Sequence, residues 1–427
     1  MNPRFHLTTL LKFSLFFILI LTLVGTTKPT TAQTATVLLR LQTGDGGAGL
    51  QPHNDLLAQF EKENPDIQVQ LEPVNYGDYY ARLKTLIAGG NPPDILQIGD
   101  DAVPDFAGSG AMVDLGPYIS GKDGIDTSIY LPGLLDPGKY KGKQYFLPKD
   151  YSPLIMYYNK KLFDQYKVEY PKDGWTWDDF LRTAQALTIV KDGQTQVWGV
   201  QLPGTWTTGF EYWIAAAGGQ LISEDGKSFV GYFDSPAVAK AVQFYADLYN
   251  KYKVAPPPAD LSAFGGGNAE FDNGKAAMRI FGYWPKSGML KNENIALGVV
   301  GLPKGDKRAN VLFWGGFGIT TASKNKDAAW RLLKFYTGTK AAETWKSWAL
   351  PAVKSVAEAA NFDPLDKVFV NELNYLAPRA YTFTDKWGST ADPALRKVLE
   401  KVIIDPNTDV KAALAEGAKE AQAALNK

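Results

Sequence analysis

The sequence predicts an α/β fold built on parallel strands. Three observations carry that reading. From Ala35 to Gly99 the chain alternates strand and helix patterns, as parallel strands joined by helical crossovers require. Turn-forming residues separate the patterned segments, at Asn64-Pro65, Gly89-Gly90 and Asn91 to Pro93. At 427 residues the chain is long enough for a large core and two domains.

"ATVLLRLQTGDGGAG", Ala35 to Gly49, reads as a buried strand entering a glycine-rich loop. Leu56, Leu57 and Phe60 then share one helical face, and Asn64-Pro65 ends that helix. Ile67, Val69 and Leu71 alternate with Gln68, Gln70 and Glu72, the period of a half-buried strand. Leu83, Leu86 and Ile87 return to helical phase before Gly89-Gly90. "DILQIG" is the third strand.

A second region begins near Pro153. Thr176 and Asp179 stand at capping-box spacing ahead of a helix. Ser235 and Pro236 give the N-cap and first residue of another. Pro256 to Pro258 and Gly265 to Gly267 predict a long irregular connection. "KAAMRIFGYW" and "IALGVVGLP" read as strands, and Trp314 to Gly338 as strand, loop and helix. In that last helix Trp330 and Tyr336 lie at core spacing. The alanine-rich C-terminus is helical.

The N-terminus is a separate object. Arg4 and Lys12 precede an apolar run from Phe13 to Val24, about 12 residues where a membrane span needs about 20. Thr30 and Ala32 follow as a small-x-small signal. This predicts a signal peptide over residues 1–32; an uncleaved anchor is the alternative. The mature chain is then expected in the periplasm or at the cell exterior, soluble. No cysteine is present, which excludes disulfides and thiolate chemistry and argues against a lipoprotein. Basic and acidic residues balance at 45 each, so nucleic acid is not an expected partner.

Parallel strands present their carboxyl ends to a ligand crevice. Asp45 follows the first strand, and Asp100 and Asp101 follow the third. Three carboxylates should therefore line one sheet edge. They can accept hydrogen bonds from hydroxyls, hold a metal, or hydrolyse glycosides as a pair about 5–9.5 Å apart. The bland alternative is that Asp100 caps the following segment and Asp101 is solvated. No metal is expected, because His53 is the one histidine of the processed chain and no metal-ligand spacing appears. No cofactor is expected either. "TGDGGAG" lacks the dinucleotide spacing, and no phosphate-loop, G-x-S-x-G or H-E-x-x-H motif occurs. Trp206, Trp284, Trp314 and Trp387 recur beside turns. Indoles there can stack on the apolar faces of sugar rings while carboxylates bond the hydroxyls, so a carbohydrate cleft is expected.

Six stretches, in order, carry a family resemblance: "FEKENPDIQVQLEPV", "YARLKTLIAGGNPPDILQIGDD", "GKQYFLPKDYSPLIMYYNKKLF", "WTWDDFLRTAQALT", "FDNGKAAMRIFGYW" and "LGVVGLPKGDKRANVLFWGGFGITTASKNKDAAWRLLKFY". Most of the mature chain resembles the family 1 extracellular solute-binding proteins, which deliver solutes to ABC importers. The resemblance implies a type II periplasmic-binding-protein fold: two hinge-linked lobes with an interlobe ligand cleft. One lobe would comprise residues 35–148 and 302–349, the other 153–301 and 350–427, with crossings near Lys149 to Pro153, Val300 to Pro303 and Leu350.

It further implies that Asp45 and Asp101 bond sugar hydroxyls, that Trp284 stacks a ring, and that Trp387 lies near a second stacking position. Tyr151 and Ser152 would edge the cleft at the hinge, and Trp314 and Gly315 would face it. Asp100 and Trp206 join the candidate ligand-binding set. Gly46 stands where the maltodextrin binder carries a cation, which counts against maltodextrin itself. Arg379 would bond a ligand carboxylate or phosphate, or anchor its loop. The implied protein is a monomeric, non-catalytic receptor that takes a mono- or oligosaccharide and meets the membrane permease of an ABC importer. The rivals are a binder of a phosphorylated or other polar solute, and a secreted glycoside hydrolase using Asp45 and Asp101.

Overall fold

The computed structural model describes residues 36–259 and 269–427. The expected signal segment and the Gly265 to Gly267 run lie outside the described residues. The strands are β1 (Val37–Thr43), β2 (Ile67–Pro73), β3 (Ile95–Gly99), β4 (Lys139–Tyr140), β5 (Lys143–Gln144), β6 (Leu147–Pro153) and β7 (Ile155–Asn159), followed by β8 (Ile189–Lys191), β9 (Gln194–Gln201), β10 (Ala276–Phe281), β11 (Leu297–Val300), β12 (Leu312–Ile319) and β13 (Leu350–Pro351). A six-stranded sheet has the order β13-β6-β12-β3-β1-β2, and a five-stranded sheet the order β11-β7-β10-β9-β8.

The N-terminal unit forms as its periodicity predicts. β1 pairs in parallel with β2 and β3, and helices Leu50–Glu63 and Tyr76–Ala88 make the crossovers. The sheet as a whole is mixed, the expected parallel pairing being that of β1, β2 and β3. β12 runs antiparallel to both β3 and β6. β6 carries the chain out toward the second sheet and β12 brings it back, so the two must oppose.

Local signals hold elsewhere too. Thr176 and Asp179 form both halves of the capping box on helix Trp177–Ala186, and Ser235 caps Pro236–Asn250. Trp330 and Tyr336 are buried on one face of helix Lys326–Thr337. One apolar cluster surrounds the first sheet and continues onto one face of the second through Ile155, Tyr157 and Phe281. The other cluster fills the opposite face and the helices behind it.

Near the expected lobe boundaries, Leu302, Ala309 and Val311 pack in the second cluster, while Leu350 and Pro351 pair with Tyr151 and Asp150 of β6 in the first sheet.

Candidate ligand-binding cleft

The carboxyl ends of β1 and β3 open into a cavity of about 650 Å³, within the roughly 300–1,000 Å³ usual for small-molecule sites. Asp45, Asp100, Asp101, Lys149 and Asp150 line the side formed by the first sheet. Trp206, Thr207, Trp284 and Trp387 line the same cavity, Trp206 and Trp284 from segments that follow β9 and β10 of the second sheet.

Asp45 sits in a built electrostatic setting. Its Oδ2 accepts from Lys149 Nζ at 2.9 Å and from His53 Nε2 at 3.0 Å, and its backbone N–H donates to Thr43 Oγ1 at 3.0 Å. With its amide turned to suit these neighbours, Gln97 donates to Asp45 Oδ2 at 3.3 Å and accepts from Lys149 at 3.0 Å. Burial works against the Asp45 charge. The Lys149 ammonium and the His53 hydrogen bond outweigh it and hold the carboxyl well below its usual range. His53 is fully buried, and burial keeps its ring neutral. Lys149 is 3% exposed and also contacts Asp150 at 3.1 Å. Burial opposes its charge, but the Asp150 and Asp45 carboxylates keep it ionised. Gly315 is needed beside this triad. A Cβ there would lie 2.5 Å from Asp150 Oδ1.

Asp100 and Asp101 are treated differently from each other. Asp100 is buried, accepting from Arg379 Nη1 at 2.7 Å and from the Trp314 backbone N–H at 3.2 Å. It caps no helix. Arg379 in turn bonds Glu211 Oε1 at 3.2 Å, while Glu211 Oε2 accepts the Ala380 N–H at 2.7 Å. Asp101 turns to the cleft and receives no such bond among the described residues. Burial first, then the charges of Asp100, Asp392 and Glu211, push it up to about 7 against the pull of Arg379.

The aromatic side is continuous. Trp206, at the N-cap of helix Thr207–Ala216, stacks on Phe313 with centroids 5.0 Å apart and meets Trp284 edge-on at 6.1 Å. Trp284 packs against Phe281 at 5.2 Å and lies directly over Gly282, where any Cβ would collide with the indole. Both tryptophans keep partly exposed faces. Trp348, from the segment before β13, borders the same cavity with its indole against Gly49.

Comparisons with known proteins identify the family. The family model for bacterial extracellular solute-binding proteins matches residues 47–343. The chain belongs to this family. A maltotriose-binding protein of Pyrococcus abyssi is 26% identical over 381 residues, 86% of this chain and 77% of that protein. A diacetylchitobiose binding protein of Streptomyces coelicolor is 27% identical over 304 residues, covering 69% of this chain and 68% of the other. An ABC substrate-binding protein of Listeria monocytogenes, solved in complex with cycloalternan, superposes with a TM-score of 0.82 at 27% identity. It spans 92% of this chain and 99% of that one. The two-lobe fold expected from the sequence is therefore established.

Most of the candidate residues converge on this one cleft: Asp45, Asp100, Asp101, Tyr151, Ser152, Trp206, Trp284, Trp314, Gly315 and Trp387 all border it. Several do so in roles other than those expected. Trp314 is in β12, 3% exposed, and its Nε1 donates to Leu134 O at 2.8 Å, so its indole is a packing group. Ser152 Oγ is taken up by Pro153 O at 3.0 Å and the Tyr283 N–H at 2.7 Å. Trp387 is 2% exposed and packs in the second core. Arg379 does not border the cavity; its guanidinium is spent on Asp100 and Glu211. Tyr76, Tyr80, Asp150, Phe313 and Trp348 border the cleft without having been singled out. A signal existed for the tyrosines. They are one turn apart at the start of the helix that follows β2, a neighbour of β1.

Proposed function

We propose that this member of the extracellular solute-binding family captures a mono- or oligosaccharide in the cleft and delivers it to the permease of an ABC importer, without chemical turnover. One observation carries the reading. Partly exposed indoles of Trp206 and Trp284 share one cavity with a sheet edge of carboxylates. Indoles cover the apolar faces of sugar rings, and carboxylates accept from their hydroxyls. The sugar-binding relatives support the same class of ligand. A phosphorylated solute is disfavoured, because the cations bordering the cavity are already committed. Lys149 serves Asp45 and Asp150, Arg396 lies 3.6 Å from Asp392, and Lys84 pairs with Asp105. The hydrolase rival suffers because Asp45 is fixed by Lys149 and His53 rather than poised to attack.

Calorimetry against a saccharide panel including maltotriose and diacetylchitobiose tests the proposal. Trp284→Ala is expected to weaken the binding of whichever sugar is taken by about 1–3 kcal/mol with the fold intact. Unchanged affinity would remove Trp284 from the site, and release of chromophore from chromogenic glycosides would overturn the receptor reading.

A further inference from the structure

Hydroxyl recognition does not account for the charge balance at the Asp101 end of the cleft. Arg379, the nearest cation, is enclosed between Asp100 and Glu211. The remaining cations of the cleft are paired as described. The site thus holds one carboxylate with no counter-charge among the described residues and no cation in search of one.

Two phenols frame that carboxylate. The side of Gly99 left open by its missing side chain is ringed by three oxygens. From an ideal Cβ position they lie at 2.9 Å (Tyr80 Oη), 3.2 Å (Asp101 Oδ1) and 3.8 Å (Tyr76 Oη). The two tyrosine rings meet edge-on with centroids 5.8 Å apart. The Tyr80 oxygen already accepts the Gly99 N–H at 2.9 Å, which fixes its place. A carboxylate flanked by phenol oxygens can recognise an ammonium group, which ion-pairs with the carboxylate and donates its remaining N–H groups to the hydroxyl oxygens. Asp100, Asp392 and Glu211 add negative potential.

We propose that Asp101, Tyr76 and Tyr80 form a subsite for a protonated amine carried by the bound sugar, so that the receptor prefers amino sugars to their neutral counterparts. This rests on the carbohydrate reading and narrows it. The amine would supply the missing positive charge. An N-acetyl group, being neutral, would not.

Matched pairs test it by calorimetry on the mature protein at pH 7: D-glucosamine against D-glucose and N-acetyl-D-glucosamine, D-galactosamine against D-galactose, and the β-1,4 glucosamine disaccharide against cellobiose. The saccharide panel above is run alongside. In at least one set the amine should bind about tenfold tighter, the scale of a charge-assisted hydrogen bond. Asp101→Asn should bring that ratio close to one, while Tyr80→Phe, which removes one phenol oxygen and leaves the carboxylate, should lower it only in part. If neutral sugars bind and no amine binds more tightly than its partner, the amine subsite is wrong and the sugar receptor stands. If no saccharide binds, neutral or amino, both readings fall.

Discussion

Asp45 and Asp101 end neighbouring parallel strands and border the same cavity, yet the protein handles their charges in opposite ways. Around Asp45 it has built a counter-charge and a glutamine from distant segments and a neutral histidine donor from the helix that follows. Around Asp101 it has placed further carboxylates and two phenols. The first arrangement makes a permanent hydrogen-bond acceptor whose geometry is set before any ligand arrives. The second leaves electrostatic free energy to be recovered on binding. One sheet edge thus supplies a fixed reference point and, a strand away, a responsive one.

The comparison breaks most visibly at Lys149. Lys149→Met leaves Asp45 and Asp150, both mostly shielded from solvent, without their cation, and removing one partner of a buried ion pair costs up to about 3–5 kcal/mol. Denaturant unfolding at pH 7 should show that loss. A change below about 1 kcal/mol would mean that the triad is solvated.

Stability against pH sharpens the contrast, because the two aspartates contribute with opposite sign. The folded state depresses Asp45 below its ordinary 3.8, so its stabilisation is present above that value and disappears as pH falls through the folded one. The folded state raises Asp101 to about 7, so it binds the proton more tightly than the unfolded chain. Its ionisation therefore costs stability increasingly from about pH 4 to about pH 7. Asp101→Asn should be more stable than the parent at pH 8, by about 1–3 kcal/mol after allowance for solvent screening, and level with it near pH 4. Equal stability at both pH values would place Asp101 in water.

The smallest effect belongs to the rim. Tyr140, packed beside the first core, donates to Asp385 Oδ2 at 2.9 Å, and Lys141 Nζ lies 3.3 Å from the same oxygen. Asp385 belongs to the segment that carries Trp387 into the second core, so these contacts join the lobes outside the cleft. They are exposed, and Asp385→Ala should cost about 0.2–1 kcal/mol, less at high salt. A loss as large as that of Lys149→Met would show that the rim, and not the buried triad, carries the charge energetics of the cleft.

The sequence by itself determined the local elements and the general address of the site. Apolar period, caps and breakers marked β1 to β3, their crossovers, and the helices beginning at Trp177 and Pro236, because those signals act over a few residues. Carboxylates after β1 and β3 were legible as cleft residues, since parallel strands open at their carboxyl ends. Helix Thr207–Ala216 was not legible. All of its residues are buried, so it shows no polar face and no helical period. Trp314 misled for a related reason. Glycines beside it suggested a turn, but they serve a strand in which Asp150 must approach Gly315 closely.

Only the tertiary structure decided what each charge does. Arg379 lies 279 residues from Asp100 in sequence, and Lys149 lies 104 from Asp45. Nothing local distinguishes a guanidinium that will meet a ligand from one enclosed between two carboxylates. An ionisable side chain takes its role from burial and from neighbours that the chain brings together over long distances. For Asp45 and Asp101 those neighbours turn the same residue type into a fixed acceptor in one place and an unpaired charge in the other.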